Sequence, residues 1–325
     1  MKSTRAIIHQ AGGPEAIAWE EVEIPLPGAG EVTVEHSAVG LNFIDTYHRS
    51  GLYPIPYPSG LGLEAAGRVV AVGEGVSGFA EGDRVATFGP VLGAYATARN
   101  VDAKTLFALP DHIDDQVAAA ALLKAATVEA FVERCAKVQP GQTVLVHAAA
   151  GGVGQIMVQW LKAVGATVIG TTSSAEKAAI ASKAGADHVI RYDQENIAAR
   201  VKEITDGAGL AVVFDGVGAA TFEPSLDSLQ PRGLLVSYGN ASGAVEGVNL
   251  GILSAKGSVF ATRPTLFHYY ASSEERAAGC ARVWEMLGSG KVSVDIGQTY
   301  PLTEAARAHR DLEQRKTTGS TVLLP

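Results

Sequence analysis

The sequence has little cysteine and no excess of basic charge. Its 325 residues include 2 cysteines, and 26 Lys and Arg stand against 34 Asp and Glu, which gives a net charge of −8. Without a basic stripe, this balance argues against a dedicated nucleic-acid or anionic-membrane binder. Cys135 and Cys280 lie far apart in helix-like segments. They could form a disulfide, but buried free thiols in a reducing compartment fit this spacing better.

Long apolar segments are also absent. No apolar run approaches the roughly 20 residues that span a bilayer, and the start MKSTRAIIHQ lacks the apolar core of a signal peptide. We therefore expect a cytoplasmic protein without a membrane segment. Hydrophobic residues make up 47% and charged residues 18% of the chain, which is typical of a globular protein long enough for two domains.

The first third of the chain predicts short β-strands separated by glycine turns. Residues 31–37 alternate apolar and polar side chains, and further short strands are predicted at 68–72 and 84–87. Prolines between 51 and 60 favour an ordered loop over a helix in that segment. From residue 114 the pattern changes, and two helices are predicted at 114–124 and 127–137.

A regular alternation of strands and helices follows. Six strands with helical crossovers predict the doubly wound parallel sheet of an α/β Rossmann domain. The strands are predicted at 143–148, Thr167–Thr172, His188–Arg191, 211–215, 234–238 and 258–261, and the helices at 155–164, 175–184, Ile197–Ile204 and 220–229.

The end of the chain departs from this alternation. A helix is predicted through 279–287, and the strand-like Ser320–Leu324 has no partner among the six strands, so we expect it to return to the first domain. The Rossmann domain, 125–262, is then inserted between two parts of a mainly β domain, 1–124 and 263–325. The cleft between the domains is expected to hold the functional site.

The segment 144–154, VLVHAAAGGVG, is the most informative local feature. An apolar run ends in a loop of small residues, and an apolar helical segment begins at once. Small residues let the backbone approach a dinucleotide pyrophosphate, and the N–H groups of the helix start point at its charge. Ala149 replaces the first glycine of the usual GxGxxG pattern. A buried turn with small residues for packing alone is the alternative. The expected cofactor contacts are Ala150, Gly151, Gly152, Val153 and Gly154.

The end of the second predicted strand discriminates between the two nicotinamide cofactors. An acidic residue there would bind the ribose 2′-OH of NADH and repel a 2′-phosphate. The chain instead has Thr172, Ser173 and Ser174, with Lys177 shortly after. We expect these residues to hold the 2′-phosphate of NADPH, with Tyr192 at the adenosine end. The alternative makes the serines a helix N-cap and Lys177 a solvated residue of the first turn.

Several motifs together resemble the medium-chain dehydrogenase/reductase superfamily, and within it the zinc-independent, zeta-crystallin-like NADPH:quinone oxidoreductases. They are GLNFIDTYHRSGLY at 40–53, GLEAAG at 62–67, HAAAGGVG at 147–154, SYGNASG at 237–243 and TRP at 262–264. The resemblance implies a GroES-like catalytic domain around the inserted Rossmann domain, with NADPH as the cofactor.

The zinc-bearing members of that superfamily hold a catalytic zinc with two cysteines and a histidine. The resemblance places Asn42, Leu63 and Leu123 at the matching positions. Leucine cannot ligate a metal and an amide is a poor zinc ligand, and two cysteines are too few for a second, four-cysteine zinc site. No metal is therefore expected.

Hydride transfer to a strongly electrophilic acceptor needs no Lewis acid. A quinone or a conjugated enone gains a delocalised oxyanion that hydrogen-bond donors stabilise. The predicted catalytic residues are Asn42, Tyr47 and Tyr53, which we expect to position the carbonyl, with Asn42 also near the cofactor. Packing between domains is the alternative for each tyrosine. Asp45 is expected to order its loop and Glu64 to be paired within the fold.

The resemblance implies further contacts with the cofactor. Thr127, Asn240, Phe260 and Thr262 are expected near the nicotinamide half, Arg263 near the cleft, and Arg315 near the 2′-phosphate. A helix-end cation is the alternative for Arg315. Residues after the fourth and fifth strands complete the set: Gly216, Val217, Tyr238 and Gly239.

The expected function is NADPH-dependent, metal-free quinone reduction, by hydride or stepwise electron transfer. An NADPH-dependent enone or enal reductase is the enzymatic alternative. An RNA-binding or structural, crystallin-like protein is the alternative outside enzymes, and the acidic balance weighs against RNA. The resemblance also implies a homodimer that pairs through the last strand of the Rossmann sheet.

Overall fold

The computed structural model describes all residues from Met1 to Pro325, and the chain divides into two units. Unit 1 comprises Met1–Lys124, Ser272–Trp284 and Val294–Pro325. Unit 2 comprises Ala125–Ala271 and Glu285–Ser293. No helix combines the length and the apolar character that crossing a lipid bilayer requires.

The N-terminal part of unit 1 is mainly β, as the sequence predicts. Its elements are β1 Lys2–Ile7, β2 Ala18–Glu23, β3 Glu31–Leu41, helix α1 Phe43–Ser50, β4 Glu64–Val72, β5 Arg84–Phe88, β6 Ala98–Asp102 and β7 Leu106–Ala108. Strands β1 and β2 form an antiparallel pair. The other strands pair antiparallel around β3 and β4, and their inward-facing valines form one core cluster. Helix α1 ends where Gly51 takes the left-handed conformation.

Helix α2, Asp115–Glu129, carries the chain across the boundary between the units. A π-helix, Ala130–Cys135, follows it directly. The prediction of two separate helices, 114–124 and 127–137, was therefore wrong. The expected break falls at two alanines, and alanine has the highest intrinsic helix propensity of all residues.

Unit 2 is built on a six-stranded parallel sheet, so the predicted doubly wound topology is confirmed. The strands are β8 Thr143–Val146, β9 Thr167–Thr172, β10 His188–Arg191, β11 Leu210–Asp215, β12 Leu229–Ser237 and β13 Phe260–Thr262. The strand order is β10-β9-β8-β11-β12-β13, and every neighbouring pair is parallel. Between them lie α3 Gly152–Val164, α4 Ala175–Lys183, α5 Ile197–Ile204, α6 Phe222–Ser228 and α7 Gly251–Ala255, and α8 Leu266–Tyr269 follows β13.

The sheet of unit 2 is buried on both faces, as covered parallel sheets are. Val144, Leu145 and Val146 of β8 are fully buried, and Leu145 belongs to a core cluster that continues through β9, β10 and β11. The strand order reverses direction between β8 and β11. In such sheets ligands bind outside the carboxyl ends of the strands at this switch point.

The end of the chain returns to unit 1, as predicted. It contains α9 Ser273–Gly288, β14 Ile296–Pro301, α10 Ala305–Glu313 and β15 Ser320–Leu324. Strand β15 pairs antiparallel with β3 and parallel with β14, which places both in the seven-stranded sheet of unit 1.

The units differ from the expected domain boundaries near the C-terminus. Residues 263–271 and 285–293 cluster with unit 2, although 263–325 was expected to complete the first domain. Contacts explain the first segment, because the Tyr269 carbonyl accepts a hydrogen bond from Arg134 and the Tyr270 hydroxyl donates one to Glu129. The second segment is tied by Ser293, whose N–H donates to Gln159.

Candidate active site

The carboxyl ends of the parallel strands bring most of the predicted cofactor residues of unit 2 to one edge of the sheet. The loop after β8 leads to Gly152 and Gly154, and Thr172 ends β9. Tyr192 follows β10, Gly216 and Val217 follow β11, Tyr238 to Asn240 follow β12, and Thr262 ends β13. Three predicted residues lie elsewhere: Thr127 within α2, Lys177 within α4 and Phe260 at the start of β13.

The loop between β8 and α3 leaves a helix N-terminus bare. Gly151 is the N-cap in an extended conformation and makes no side-chain cap hydrogen bond. The first turn of a helix has no intrahelical acceptors for its N–H groups, so Gly152, Val153 and Gly154 present donors there. A Cβ at Gly154 would overlap the carbonyl oxygen of Ala148 and lie 2.8 Å from Cα of Ala149. Glycine is therefore required at position 154 for this loop to close.

Ala149, which replaces the first glycine of the usual pattern, is accommodated by a second glycine. A Cβ placed on Gly170 of β9 would lie 2.8 Å from the Ala149 Cβ. Gly170 therefore makes the room that Ala149 occupies. The Ala149 N–H also donates to the Thr171 carbonyl at 3.1 Å, which ties the loop to β9. The departure from GxGxxG thus leaves the loop conformation intact.

A network of buried, hydrogen-bonded polar groups lies next to this loop. His147 contacts Thr171 Oγ1 through Nδ1 at 2.9 Å and Ser225 Oγ through Nε2 at 3.0 Å. The Ser225 hydroxyl donates to Asp215 at 3.0 Å. Asp215 also accepts from the N–H groups of Val217 and Gly218 and from the Thr221 hydroxyl. Burial lowers the pKa of His147. Because Ser225 donates to the carboxylate, the His147–Ser225–Asp215 set is a structural network rather than a nucleophilic triad.

The end of β9 carries the residues predicted to hold the 2′-phosphate. Thr172 Oγ1 is buried and has no hydrogen-bond partner. Ser174 is the N-cap of α4, and its Oγ accepts from the Lys177 N–H at 3.3 Å. The capping alternative therefore applies to Ser174, while its hydroxyl proton stays available to a ligand. The Tyr192 N–H donates to the Thr172 carbonyl at 3.2 Å, so Tyr192 lies beside this strand end.

The loops after β11 and β12 approach each other closely. A Cβ on Gly239 would overlap the Gly216 carbonyl, and one on Gly216 would lie 2.9 Å from the Tyr238 ring. The Asn240 carbonyl accepts from the Gly243 N–H at 2.9 Å. Arg263 donates to Ser237 Oγ at 3.1 Å and to the Gly239 carbonyl at 2.9 Å, so its guanidinium braces the loop after β12.

Within unit 1, Asn42 lies between β3 and α1 and is tightly held. Its Nδ2 donates to Glu64 Oε2 at 2.9 Å, and its N–H donates to Asp45 Oδ2 at 2.9 Å. Glu64 is fully buried, also accepts from the Leu123 N–H at 2.5 Å, and pairs with Lys124 Nζ at 3.6 Å. Burial raises the pKa of the Glu64 carboxyl, and the Lys124 ammonium acts in the opposite direction. Glu64 and Asp45 are therefore both paired within the fold.

The two predicted tyrosines form an aromatic pair. The Tyr47 and Tyr53 rings meet edge to face with centroids 5.1 Å apart, and the Tyr53 N–H donates to the Tyr47 carbonyl at 3.1 Å. Phe43 extends the cluster on one side and His48 on the other. The structure brings Tyr47 and Tyr53 together on the same helix–loop unit that begins at Asn42.

Sequence reasoning missed a buried hydrogen-bonded chain behind Asp45. The Tyr95 hydroxyl donates to Asp45 Oδ2 at 3.0 Å and lies 2.9 Å from His309 Nε2. Arg49 donates to His309 Nδ1 at 3.2 Å and pairs with Glu313 at 2.6 Å. Burial raises the pKa of Asp45 to about 7 and lowers that of His309 to about 3. These partners lie up to 264 positions apart, so no local pattern in the sequence could reveal them.

Arg315 lies just beyond α10 in unit 1. It has a positive φ of 59°, and its N–H donates to the Leu312 carbonyl at 3.0 Å. Its backbone N–H therefore closes the C-terminal end of the helix, and the assignment of its side chain to the 2′-phosphate stays a prediction.

The residues at the positions of a catalytic zinc do not fit that metal. Leu63 and Leu123 are buried apolar side chains, and the Asn42 amide nitrogen is bound to Glu64. No group of three or more His, Cys, Asp or Glu side chains comes together in an arrangement that could hold a metal ion.

The residues of unit 2 do fit a dinucleotide. The close contact that excludes a Cβ at Gly154 brings bare helix N–H groups to the switch point of the sheet. The unpartnered Thr172 Oγ1 lies at the strand end where such folds bind the adenosine ribose. No carboxylate follows Thr172 before Glu176.

Comparisons with known proteins agree with these observations. Residues 28–111 match the alcohol dehydrogenase GroES-like domain, and 152–279 match the zinc-binding dehydrogenase family. The chain is 51% identical to a quinone oxidoreductase of Pseudomonas aeruginosa, over 97% of both chains. It is 44% identical to a 2-haloacrylate reductase of Burkholderia, over 98% of both chains.

A solved structure extends the similarity to three dimensions. The Escherichia coli quinone oxidoreductase complexed with NADPH superposes with a TM-score of 0.97 at 49% identity, covering 99% of this chain and 100% of that one. The predicted family and the predicted α/β fold, a Rossmann domain with a GroES-like domain, are thereby confirmed. The chain belongs to the quinone oxidoreductase family of the medium-chain dehydrogenase/reductase superfamily.

Proposed function

We propose that this protein is an NADPH-dependent quinone reductase. The observation that carries the proposal is the edge of the unit 2 sheet, where bare helix N–H groups adjoin a strand end that has hydroxyls and no carboxylate. The P. aeruginosa relative named quinone oxidoreductase and the E. coli structure with NADPH support the same activity and cofactor.

We assign the pyrophosphate to the loop residues 150–154, with the N–H groups of Gly152, Val153 and Gly154 as donors. The 2′-phosphate is assigned to Ser173, Ser174 and Lys177. Tyr192 adjoins the adenosine, and Arg315 remains a second candidate for the 2′-phosphate. The nicotinamide half is assigned to the remaining predicted residues: Thr127, Gly216, Val217, Tyr238, Gly239, Asn240, Phe260, Thr262 and Arg263. When bound, NADPH supplies the hydride that the acceptor receives.

Unit 1 supplies the acceptor side. The rings of Tyr47 and Tyr53, which meet edge to face, offer an aromatic wall to the acceptor. Flat, conjugated acceptors match such a wall, because aromatic faces stack on one another. Asn42 is held at the start of the same helix and contributes a polar amide beside it.

A second candidate acceptor is an alkene conjugated to a carbonyl. The 2-haloacrylate reductase relative, 44% identical over nearly the full length, supports this candidate. Both reactions place a hydride on a conjugated system and need a donor for the oxyanion that develops.

The test is NADPH oxidation measured spectrophotometrically with quinones, enones, 2-haloacrylate and aldehydes as acceptors. We expect the highest kcat/KM with a quinone and little turnover with aldehydes. Faster turnover of 2-haloacrylate or an enone than of every quinone would favour the second candidate. No turnover with any acceptor, together with retention of single-stranded RNA on a filter at moderate salt, would overturn the proposal.

The assembly and location are also part of the proposal. Strand β13 is an edge of the unit 2 sheet, and Phe260 on it is 60% exposed, with exposed Leu250 and Val248 nearby in sequence. We assign this edge to a homodimer interface, since an apolar, unpaired strand invites pairing with a second copy. Phe260→Lys should then convert a dimer to a monomer in sedimentation equilibrium. The free thiols of Cys135 and Cys280 support a cytoplasmic location.

A further inference from the structure

The buried ion pair of Glu64 and Lys124 adjoins the three positions where zinc-bearing relatives hold their metal. Glu64 follows Leu63 in the chain, Lys124 follows Leu123, and the Glu64 carboxylate contacts the Asn42 amide. Next in the chain to positions that ligate a metal cation in those relatives, this chain therefore has a buried ammonium. The two carboxylates that face it are Glu64 from β4 and Asp45 from α1, and Lys124 interacts electrostatically with both.

The Glu64 site is closely built. The side chain has no exposed surface, and Gly40 packs over it so tightly that a Cβ there would overlap Glu64 Oε2 and the Ala119 carbonyl. Its Oε1 accepts from the Leu123 N–H, and its Oε2 accepts from Asn42 Nδ2. Burying a carboxylate costs several kcal/mol unless a countercharge and hydrogen bonds compensate. A neutral side chain at position 64 would avoid that cost, which indicates that the acidic group of Glu64 has a role here.

Lys124 provides the countercharge without a hydrogen bond. Its side chain is about as buried as that of Asn42, and Nζ has no hydrogen-bond partner although it is buried. The 3.6 Å between Nζ and Glu64 Oε2 exceeds normal hydrogen-bond length, so the ammonium acts through its charge. The ammonium favours the ionised form of the Glu64 carboxyl beside it, whereas burial raises the pKa of that carboxyl.

The Glu64 carboxylate determines which way the Asn42 amide is oriented. An ionised carboxylate accepts hydrogen bonds and donates none, so only the NH2 side of the amide can face Glu64. Asn42 Nδ2 indeed points at Glu64, and its other neighbour is the Gly40 carbonyl at 3.5 Å. The amide oxygen belongs to the capping box, in which the Asn42 side chain accepts from the Asp45 N–H. An amide oxygen has two lone pairs, so it keeps acceptor capacity for a second donor.

We propose that Glu64 and Lys124 are positioning residues that fix the Asn42 carboxamide as a hydrogen-bond acceptor toward the nicotinamide half of NADPH. The partner is an N–H or O–H donor on that half, either the nicotinamide carboxamide or a ribose hydroxyl. The inference rests on the proposed function. It changes the expected role of Asn42, because its amide N–H groups are directed at Glu64 and Gly40 instead of a substrate carbonyl.

Glu64→Gln tests the orientation directly. The glutamine side chain introduced there has one acceptor oxygen, which the Leu123 N–H takes, so its NH2 group faces Asn42 and turns that amide around. The double variant Glu64→Gln/Lys124→Met removes both charges without leaving either unpaired, and such replacements are often neutral for stability. Lys162→Met, which breaks an ion pair with Asp187 in unit 2, is the matched control.

Binding is measured without an acceptor, by fluorescence titration with NADPH and with NADP⁺, alongside thermal unfolding. We expect the double variant to unfold near the wild-type temperature and to bind both forms about tenfold more weakly, as for the loss of one hydrogen bond. Lys162→Met should bind like the wild type. Wild-type affinity in a stably folded double variant would overturn the proposal, because a merely structural pair would behave in that way.

The acetylpyridine analogue of NADP⁺, which has a methyl group in place of the carboxamide NH2, identifies the donor. If the carboxamide donates, the wild type binds the analogue more weakly than NADP⁺ and the double variant does not discriminate. If a ribose hydroxyl donates, the wild type binds the two alike and the double variant weakens both. A wild-type protein that binds neither NADPH nor NADP⁺ would instead overturn the proposed function.

The pH dependence of binding gives a second readout. In Lys124→Met the Glu64 carboxyl has lost the countercharge that opposes the rise of its pKa on burial, and once protonated it can also donate to the Asn42 oxygen. We expect the NADP⁺ affinity of this variant to rise with pH, with a flatter profile in the wild type. Because Asp45 faces the same ammonium, Lys124→Met is compared with Lys124→Met/Asp45→Asn. Parallel profiles in wild type and Lys124→Met would contradict the proposal.

Discussion

Unit 2 buries the Asp215 carboxylate among four donor groups, whereas unit 1 buries Asp45 and Glu64 beside polar atoms that lack partners. Of the six buried side-chain atoms without a hydrogen bond, five lie in unit 1, on His36, Asp45, His48, Arg99 and Lys124. The sixth is Thr172 Oγ1, at the end of β9. Fully paired buried groups rigidify a fold, and unpaired ones persist only where the surrounding structure supports their cost.

The two units therefore support their candidate binding residues in different ways. In unit 2 the loop after β8 adjoins a fully hydrogen-bonded network around the Asp215 carboxylate, and the first N–H groups of α3 remain as unpaired donors. In unit 1 the Glu64 carboxylate binds the Asn42 amide, and the Lys124 ammonium pairs with that carboxylate without a hydrogen bond. Binding of a phosphate requires rigid hydrogen-bond donors, whereas the nicotinamide half of the cofactor requires a dipole of fixed orientation.

The largest expected effect is on the unit 2 loop. Gly154→Ala places a Cβ against the Ala148 carbonyl and Ala149 Cα. Overpacking against backbone costs about 1–3 kcal/mol or more, so NADPH affinity should fall on the order of a hundredfold. Gly151→Ala is the control, because its Cβ would meet only the Ala148 carbonyl, at 3.3 Å. Binding by Gly154→Ala within tenfold of Gly151→Ala, in a titration of the folded variants, would show that the loop does not need this glycine.

The next largest effect is expected from removal of a buried carboxylate, and the loss in the free energy of unfolding should differ between the two units. Asp215→Ala leaves the N–H groups of Val217 and Gly218 and the hydroxyls of Thr221 and Ser225 without their acceptor. We expect a loss of about 3 kcal/mol in the free energy of unfolding, measured by urea denaturation. Asp45→Asn at pH 7 should cost less than about 1 kcal/mol, because the pKa of Asp45 is raised to about 7 and its Oδ1 has no partner. Equal losses of unfolding free energy in Asp215→Ala and Asp45→Asn would contradict the difference between the two buried carboxylates.

Lys177 tests the phosphate assignment of unit 2. A charge-assisted contact with a phosphate contributes roughly 1.5–3 kcal/mol, so Lys177→Ala should raise the Kd of NADPH by one to two orders of magnitude. The Kd of NADH should stay unchanged. Lys183→Ala, at the other end of α4, is the matched control. If Lys177→Ala weakened both cofactors equally, the residue would have no role in binding the 2′-phosphate.

The pH dependence of stability gives the smallest effect. Burial lowers the pKa of His36 and His309 in unit 1 from 6.5 to about 3, so each stabilises the fold fully above pH 6.5 and loses that contribution as the pH falls toward 3. Asp45, raised from 3.8 to about 7, acts oppositely, and its contribution declines as the pH rises through that range. The pKa of His147 in unit 2 is also lowered, so this residue adds to the loss of stability at acid pH.

His309→Gln isolates one of these groups. Gln can accept from Arg49 and donate to Tyr95, so the hydrogen-bonded chain is kept while the titrating group is lost. Between pH 6 and 4 the dependence of unfolding free energy on pH should become shallower by about 1.4 kcal/mol per pH unit. An unchanged slope in urea titrations across this range would show that His309 is not held neutral by the fold.

The parts that sequence could predict are those with local patterns. The loop at 144–154 and the parallel strands around it follow from apolar runs, glycines and helix starts close together in the chain, and Thr167–Thr172 and His188–Arg191 match the predicted bounds. The predicted break in α2 failed because alanines continue a helix. Lys124 had one available signal, a single cation within the apolar run AAAALLKAAT.

The buried polar contacts of unit 1 could not be predicted in this way. Tyr95 reaches Asp45 across 50 positions and His309 across 214, and Glu64 reaches Leu123 across 59. Such contacts depend on the packing of β3, β4 and α10, which no local window contains. The family resemblance indicated where these residues lie but not the hydrogen bonds between them.

The ratio of kcat/KM for NADPH to that for NADH, measured with a quinone acceptor, tests the central claim most directly. Thr172, Ser173, Ser174 and Lys177 provide hydroxyls and a cation where an NADH-selective site has a carboxylate. A ratio of about ten or more, falling toward one in Lys177→Ala, is the predicted result. A wild-type ratio at or below one would contradict it.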